Sequence, residues 1–512
     1  MLIGWIQVYR ALLVLALLPS AWLAWTWRAM PQLGIYHDDA IYAVTAKSLA
    51  EGGGYRIGSL PEQPHQTKYP PLWPAVLAVV WHLAPQFPAN LPWMAVAAWI
   101  WLPCCAWLIL LVLRDEGFSE WEAAGLASFC VLNPAMAMAG TLLLSDLLCF
   151  ALMLVSLLLA RRGRPLAGGG AAGAAYLART AAMPLLLVAP LAWHRGWVLS
   201  VTMLPFVAAW QWWAAVHAAA PDPLTLFYTS YLGYWRADVA AMGLANMACA
   251  NLGAFVEAMG GKLATAAAVA GMVRLWRRGR MRPYAMFGAL YTAQLLAWNY
   301  PPNGRFVLPL LPLAAAGIWT ETRNLADNIA ASWRKGERVA AGAVGVALAA
   351  FGVLTLWTPL DGLLRELPTA YAQHARIQEQ NRPAREWLAR NSDQAARVLS
   401  YGDPVLYLHT RRRGYSLRVP PGVQRAGQAE MARYFDRLPE MLWSHGIDYS
   451  FLSISDYHFD SQDVAWPLYR AVVERSGQEG MRTGSGAVYR IRMQPGTATL
   501  KGGYLYGNDK AW

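Results

Sequence analysis

The sequence predicts a polytopic α-helical membrane protein with a soluble α/β domain at its C-terminal end. Of its 512 residues, 56% are hydrophobic and 14% charged, and 26 are tryptophan. The charges gather in short clusters between apolar runs of membrane length. From about residue 358 the pattern changes to evenly charged sequence with alternating apolar positions, which suits a small α/β domain. The formal net charge of +12 would suggest nucleic acid in a soluble protein. Here much of the excess sits in short inter-helix loops, where Lys and Arg set orientation, so no nucleic-acid partner is expected.

Residues 8–27 form the first apolar run. Arg10 precedes an apolar core as in a secretory signal, but no small-residue cleavage pattern follows, and the run reads as a retained helix. The basic clusters are Arg114, then Arg161, Arg162 and Arg164, then Arg195, then Arg274, Arg277, Arg278, Arg280 and Arg282, and last Arg334, Lys335 and Arg338. All are placed on the cytoplasmic side. The run 70–85 is bracketed by prolines and shorter than the roughly 20 residues a crossing needs, so it reads as a re-entrant or interfacial half-helix. Residues 91–113 cross. Residues 122–139 and 141–160 go out and return, 166–179 and 181–193 make a tight pair, and 197–216, 247–275, 283–299, 306–320 and 339–357 complete the count.

About eleven spans result, joined by juxtamembrane helices. The N-terminus is inside, an outer loop covers 28–90, and two domains follow: a membrane domain, 1–357, and an extracytoplasmic domain, 358–512. In the latter, RVLSYGDPVLYLHT (397–410), IDYSFLSIS (447–455) and AVYRIRM (487–493) read as alternating strands, and RPAREWLARN (382–391) as a helix. The small residues of LAGGGAAGAA (166–175) imply close helix packing. The five cysteines all lie in apolar segments and read as buried small hydrophobes, without metal-ligand or disulfide spacing.

This topology gathers Asp38, Asp39, Lys68, Asp146, Arg179 and Arg305 on the outer side. Ionisable groups at membrane depth are costly unless paired or solvated, so such a gathering marks a candidate site. In YHDDAIYAVTAKSLAEGGGYRIG (36–58), one aspartate caps a short helix that runs to Glu51, with Ile41, Val44 and Leu49 on the membrane, and the glycines after it end it. A helix has one N-cap. The other carboxylate is left where it can take a proton from an incoming hydroxyl. Lys68 either snorkels to lipid phosphates or holds a substrate phosphate. Asp146 is a cap, a partner of Arg179 or a substrate contact. Arg179 and Arg305 are interfacial anchors or phosphate ligands. His37 and His65, with the two aspartates, are too loosely spaced to imply a metal; a divalent ion is compatible but not expected.

These residues resemble the GT-C superfamily of polytopic glycosyltransferases, in particular the branch of the protein O-mannosyltransferases and the lipid A aminoarabinose transferase. The matching features are Asp38-Asp39 followed by Ala40, Tyr42, Ala46 and a Gly-Tyr, then Lys68-Tyr69-Pro70-Pro71-Leu72, Leu144-Ser145-Asp146, Leu177-x-Arg179 and Arg305-Phe306-x-Leu308-Pro309. They occur in order along the whole membrane part. The second acid is Asp where Glu is common, Tyr69 separates the lysine from the prolines, and Gln66-Thr67 replaces an acidic residue.

The resemblance implies a sugar transferred with inversion from a polyprenyl-phosphate donor to a hydroxyl of a lipid, glycan or protein acceptor, at the outer face of a cell inner membrane. It makes Asp38, and after it Asp39, the general base, and Lys68, Arg179 and Arg305 the donor-phosphate ligands. His37, Tyr42, Tyr69 and Asp146 are further substrate-site candidates, and no cofactor is required. The competing class is a lipid or sugar transporter, which would show internal repeats and midplane helix breaks.

Overall fold

The computed structural model describes residues 2–30, 33–220, 222–458 and 462–492. It divides into two compact units. The first comprises Met1–Gln32, Tyr69–Trp213 and Ala248–Ala372, and the second Leu33–Lys68, Ala214–Met247 and Gln373–Trp512.

The first unit is all helix. Among the described residues of the chain, four helical stretches are long and apolar enough to cross a membrane: Tyr9–Thr26, Leu91–Asp115, Gly196–Val216 and Arg338–Asn391. Counting each of two bent helix pairs as one span brings the number to six. Most of the other runs in the expected eleven lie in shorter or interrupted helices, whereas 306–320 leads into a 24-residue helix, Leu311–Arg334, whose second half is charged. The run 122–139 is two helices, Glu120–Val131 and Pro134–Thr141, bent by 63°. Asn133 ends the first and caps the second, its side-chain oxygen accepting from the Ala135 N–H at 2.9 Å, with Pro134 as the first helical residue. The run expected as one span over 247–275 is also two helices, Leu244–Ala258 and Gly261–Arg277. They part at Gly260 and Gly261, whose φ angles of 94° and 89° break the helical path. The half-helix appears as Leu72–Leu83, 12 residues long.

Small residues let helices touch. A Cβ on Gly173 would lie 2.3 Å from the Phe206 ring, and one on Gly169 would lie 2.6 Å from the Leu199 carbonyl oxygen. Cys105, Cys130 and Cys149 are buried as expected, whereas Cys104 and Cys249 lie on exposed helix faces.

Two of the basic clusters meet. The buried Glu116 carboxylate accepts from Arg161 Nη1 at 2.6 Å and from the Met281 N–H, while Arg280 Nε donates to the Glu116 carbonyl at 2.6 Å. Arg162 pairs with the neighbouring Asp115 at 2.8 Å. One acidic helix end thus gathers the turns at 161 and 280 that are separated by more than a hundred residues of sequence.

The second unit holds a five-stranded mixed sheet of β1 (Arg397–Ser400), β2 (Arg413–Tyr415), β3 (Tyr449–Ser453), β4 (Gly477–Arg482) and β5 (Gly486–Ile491). The strand order is β2-β1-β3-β5-β4. β1 pairs in parallel with β2 and β3, and β5 runs antiparallel to β3 and β4. The helix Arg382–Asn391 lays Ala384, Trp387 and Leu388 against Val398, Leu406, Tyr449, Phe451 and Val488, the core of the sheet. The run 397–410 is not one strand. After Ser400 the sequence Gly402-Asp403-Pro404 starts a helix, Asp403–Thr410, because proline suits the first helical position and an acid suits the first turn. Residues 493–512 of the expected C-terminal domain, including the end of the run 487–493, lie outside the described residues.

Candidate active site

The acidic doublet begins the helix Asp38–Ala50 in the second unit. His37, not an aspartate, is the N-cap; it takes a left-handed backbone with φ 60° and gives no side-chain cap bond. Such a conformation costs a non-glycine residue about 1–3 kcal/mol and is kept where its surroundings enforce it. Both aspartates fall in the first turn, where the helix dipole favours negative charge. Asp39 is fully buried, and its carboxylate accepts from the Gly34 N–H at 3.1 Å and from its own neighbour's Ala40 N–H at 2.6 Å. Asp38 is only partly buried. Of the positions expected on the membrane, Ile41 and Val44 are buried inside protein and Leu49 is half-buried, so the helix does not lie on a membrane by the first two; Tyr42 is buried as well. The C-terminal end is as expected, with Gly52 and Gly54 at φ 80°.

The surroundings that hold His37 come from far along the chain. Its Nε2 lies 3.1 Å from the Tyr228 hydroxyl and 3.7 Å from Asp403 Oδ1, and Tyr228 in turn donates to Asp403 Oδ1. The imidazole also packs edge-on to Phe227, with ring centroids 5.4 Å apart. Lys68 is buried. Its Nζ donates to the Phe227 carbonyl at 2.6 Å and lies 3.7 Å from the centre of the Phe227 ring, while the adjacent Thr67 donates to the Thr229 carbonyl at 2.7 Å. The buried Arg418 guanidinium stacks on Tyr401 at 3.7 Å and reaches the Phe227 ring at 5.1 Å. Phe227 therefore carries a cation from the outer loop and a second from the C-terminal sequence.

Burial drives the titration of this cluster. His37 is held well below the usual imidazole range by burial, reinforced by the positive charges of Arg418 and Lys68. Burial pushes the Asp403 carboxyl up to about 7 against the opposing Tyr228 hydrogen bond, and pushes Asp456 up to about 8.

The other expected residues belong to the first unit. Asp146 starts the helix Asp146–Arg161 and binds two guanidinium groups, Arg179 Nη1 at 3.2 Å and Arg305 Nε at 3.7 Å. Both guanidiniums also face the Phe306 ring, at 5.3 and 5.1 Å. The quieter sequence reading of Asp146, a salt bridge to Arg179, is therefore what the geometry has, with Arg305 added. Two cations on one carboxylate leave a formal excess of one positive charge, which suits an anion. Tyr69 is fully buried in the same unit.

The sequence reading missed Phe227, Tyr228, Asp403 and Arg418. Only Asp403 has a local signal, the Gly-Asp-Pro helix start. Among the described residues, no three His, Cys, Asp or Glu side chains gather as a metal site. His65 packs against His217, with ring centroids 4.3 Å apart and planes inclined by 58°.

No family model and no curated protein matches the sequence. Solved structures do match in fold. The Archaeoglobus fulgidus oligosaccharyltransferase in complex with Zn and sulfate is 13% identical, with a TM-score of 0.56 over 93% of this chain and 72% of that one. The same enzyme tethered to an acceptor peptide is 12% identical, with a TM-score of 0.53 over 95% of this chain and 74% of that one. ArnT from Cupriavidus metallidurans bound to undecaprenyl phosphate is 15% identical, with a TM-score of 0.49 over 95% of this chain and 98% of that one.

The chain thus shares the fold of the Archaeoglobus fulgidus oligosaccharyltransferase.

Proposed function

We propose that this protein is an inverting glycosyltransferase that moves a sugar from a polyprenyl-phosphate donor to an acceptor hydroxyl at the outer face of a cell inner membrane. The observation that carries the reading is the acidic first turn at Asp38 and Asp39 in a compact unit with Lys68, within a chain of GT-C fold.

The chemistry follows from the groups present. The acceptor oxygen attacks the anomeric carbon in line with the departing phosphate, and its proton passes to the Asp38 carboxylate. As the new C–O bond forms, the bond to the lipid phosphate breaks and negative charge grows on that phosphate. Lys68, Arg179 and Arg305 are the cations assigned to meet it. Asp38 is preferred over Asp39 as the base because Asp39 is fully buried whereas Asp38 is only partly buried. The acceptor is a lipid, glycan or protein. The N-terminus is assigned to the cytoplasm and the C-terminal domain to the outer side, because Glu116 and Asp115 draw the basic turns to one end of the helical unit.

The test is purified protein in sealed proteoliposomes with a radiolabelled polyprenyl-phosphate sugar and envelope lipid extract as acceptor. Transfer of label with release of polyprenyl phosphate is the expected result. Movement of intact donor across a bilayer without bond cleavage would instead identify a transporter.

A further inference from the structure

We propose that Asp403, Tyr228 and His37 form a buried hydrogen-bond relay that fixes the tautomer of His37 and so positions an uncharged imidazole immediately before the proposed base, Asp38. The inference rests on the glycosyl-transfer reading for its purpose, but not for its geometry.

The three side chains are each at most 4% exposed. Tyr228 donates its one proton to Asp403 Oδ1, so its oxygen can only accept from His37 Nε2, 3.1 Å away. That assigns the proton of the neutral ring to Nε2 and leaves Nδ1 bare. The relay runs from the start of the helix Asp403–Thr410, through the 226–229 turn, to the N-cap of the helix that bears the acidic pair. It also explains the strained φ of 60° at His37: a side chain held at its far end by a buried tyrosine and a buried acid enforces the backbone at its near end.

The charge balance favours a neutral ring. Arg418, Lys68 and His458 act on His37 with positive charge, and Arg418 also acts on Asp403. A protonated imidazole beside Asp38 would lower the basicity of that carboxylate; a neutral one preserves it. Asp403 is the switch. When it ionises, at about pH 7, it accepts from Tyr228 and the order above holds. When it is protonated it donates to Tyr228, whose hydrogen is then free to turn to His37 Nε2, which reverses the tautomer.

The experiment is ¹⁵N spectroscopy of histidine-labelled full-length protein in nanodiscs, with His37 assigned by difference from His37→Gln and transfer measured on the same samples. In wild type above pH 8, His37 is expected as the Nε2–H tautomer, moving toward Nδ1–H as pH falls through about 7. Tyr228→Phe keeps the ring contacts but removes the hydroxyl. It should erase this preference, lower kcat by about 10- to 100-fold with little change in KM, and remove the acid limb near pH 7. Asp403→Asn should make the spectrum independent of pH. An Nδ1–H tautomer in wild type above pH 8, or a Tyr228→Phe spectrum unchanged from wild type, overturns the relay. A changed spectrum with unchanged kcat overturns its positioning role. Wild-type protein with the expected spectrum but no transfer of sugar overturns the proposed function and leaves the relay standing.

Discussion

Arg179 Nη1 lies 3.2 Å from Asp146 Oδ2, and the opposite oxygen of the same carboxylate faces Arg305 Nε at 3.7 Å. One acid, itself 5% exposed, thus balances two guanidiniums that share the ring of Phe306. Removing the acid leaves the buried Arg305 and the partly buried Arg179 in mutual repulsion, whereas removing Arg179 leaves a one-to-one pair. Asp146→Asn is therefore expected to destabilise by about 3–5 kcal/mol and Arg179→Gln by less. Thermal unfolding in one detergent, followed by helical circular dichroism, measures the order. Equal shifts would show that Arg305 does not share the charge.

The proposed function gives the doublet two roles. Asp38→Asn should lower transfer by at least about 10²-fold while leaving folding and insertion intact, because a positioned base contributes that much. Asp39→Asn should instead lower the unfolding temperature, since its carboxylate satisfies two backbone N–H groups at the start of the helix. The pair of variants is read by transfer rate and thermal shift. The reverse pattern would move the base to Asp39.

Stability of the second unit should depend on pH in an unusual direction. Asp403 and Asp456 have folded values raised to about 7 and about 8, above the usual carboxylate range. A raised carboxylate binds its proton more tightly in the folded than in the unfolded state. Its contribution is complete below the unfolded value near 4 and is lost as pH rises through the folded value, at about 1.4 kcal/mol for each tenfold difference in proton affinity. Urea unfolding between pH 4 and 9 is expected to show falling stability toward pH 8. The double variant Asp403→Asn with Asp456→Asn should flatten that slope; an unchanged slope would place the dependence elsewhere.

Close helix packing gives a fourth expectation. Gly173→Ala puts a methyl group 2.3 Å from the Phe206 ring, closer than atoms can approach. The cost is about 1–3 kcal/mol as the helices part. Gly170, with no atom near its Cβ position, is the control, and Gly170→Ala should leave thermal unfolding unchanged.

Much of the architecture was legible because it is local. Apolar length, basic turns and the proline-bracketed half-helix at 72–83 follow from what each segment needs to be satisfied in a membrane. Breaks inside apolar runs were harder to see. Asn133-Pro134 and Gly260-Gly261 act through backbone geometry, which hydropathy does not register. The acidic doublet, Lys68, Asp146, Arg179 and Arg305 also stood out, since charge beside apolar sequence is conspicuous wherever it falls.

The sequence by itself determined which residues had to be accounted for: apolar helices of membrane length, an α/β end and six charged residues beside apolar sequence. Only the tertiary structure decided their partners. It paired Asp146 with both Arg179 and Arg305, and made His37 rather than an aspartate the helix cap. It brought Phe227, Tyr228, Asp403 and Arg418 to the acidic helix from 190 to nearly 400 positions away. Burial explains the difference. A polar group's need for a partner is written in its own chemistry, but the group that meets it is chosen by packing between segments that share no local pattern.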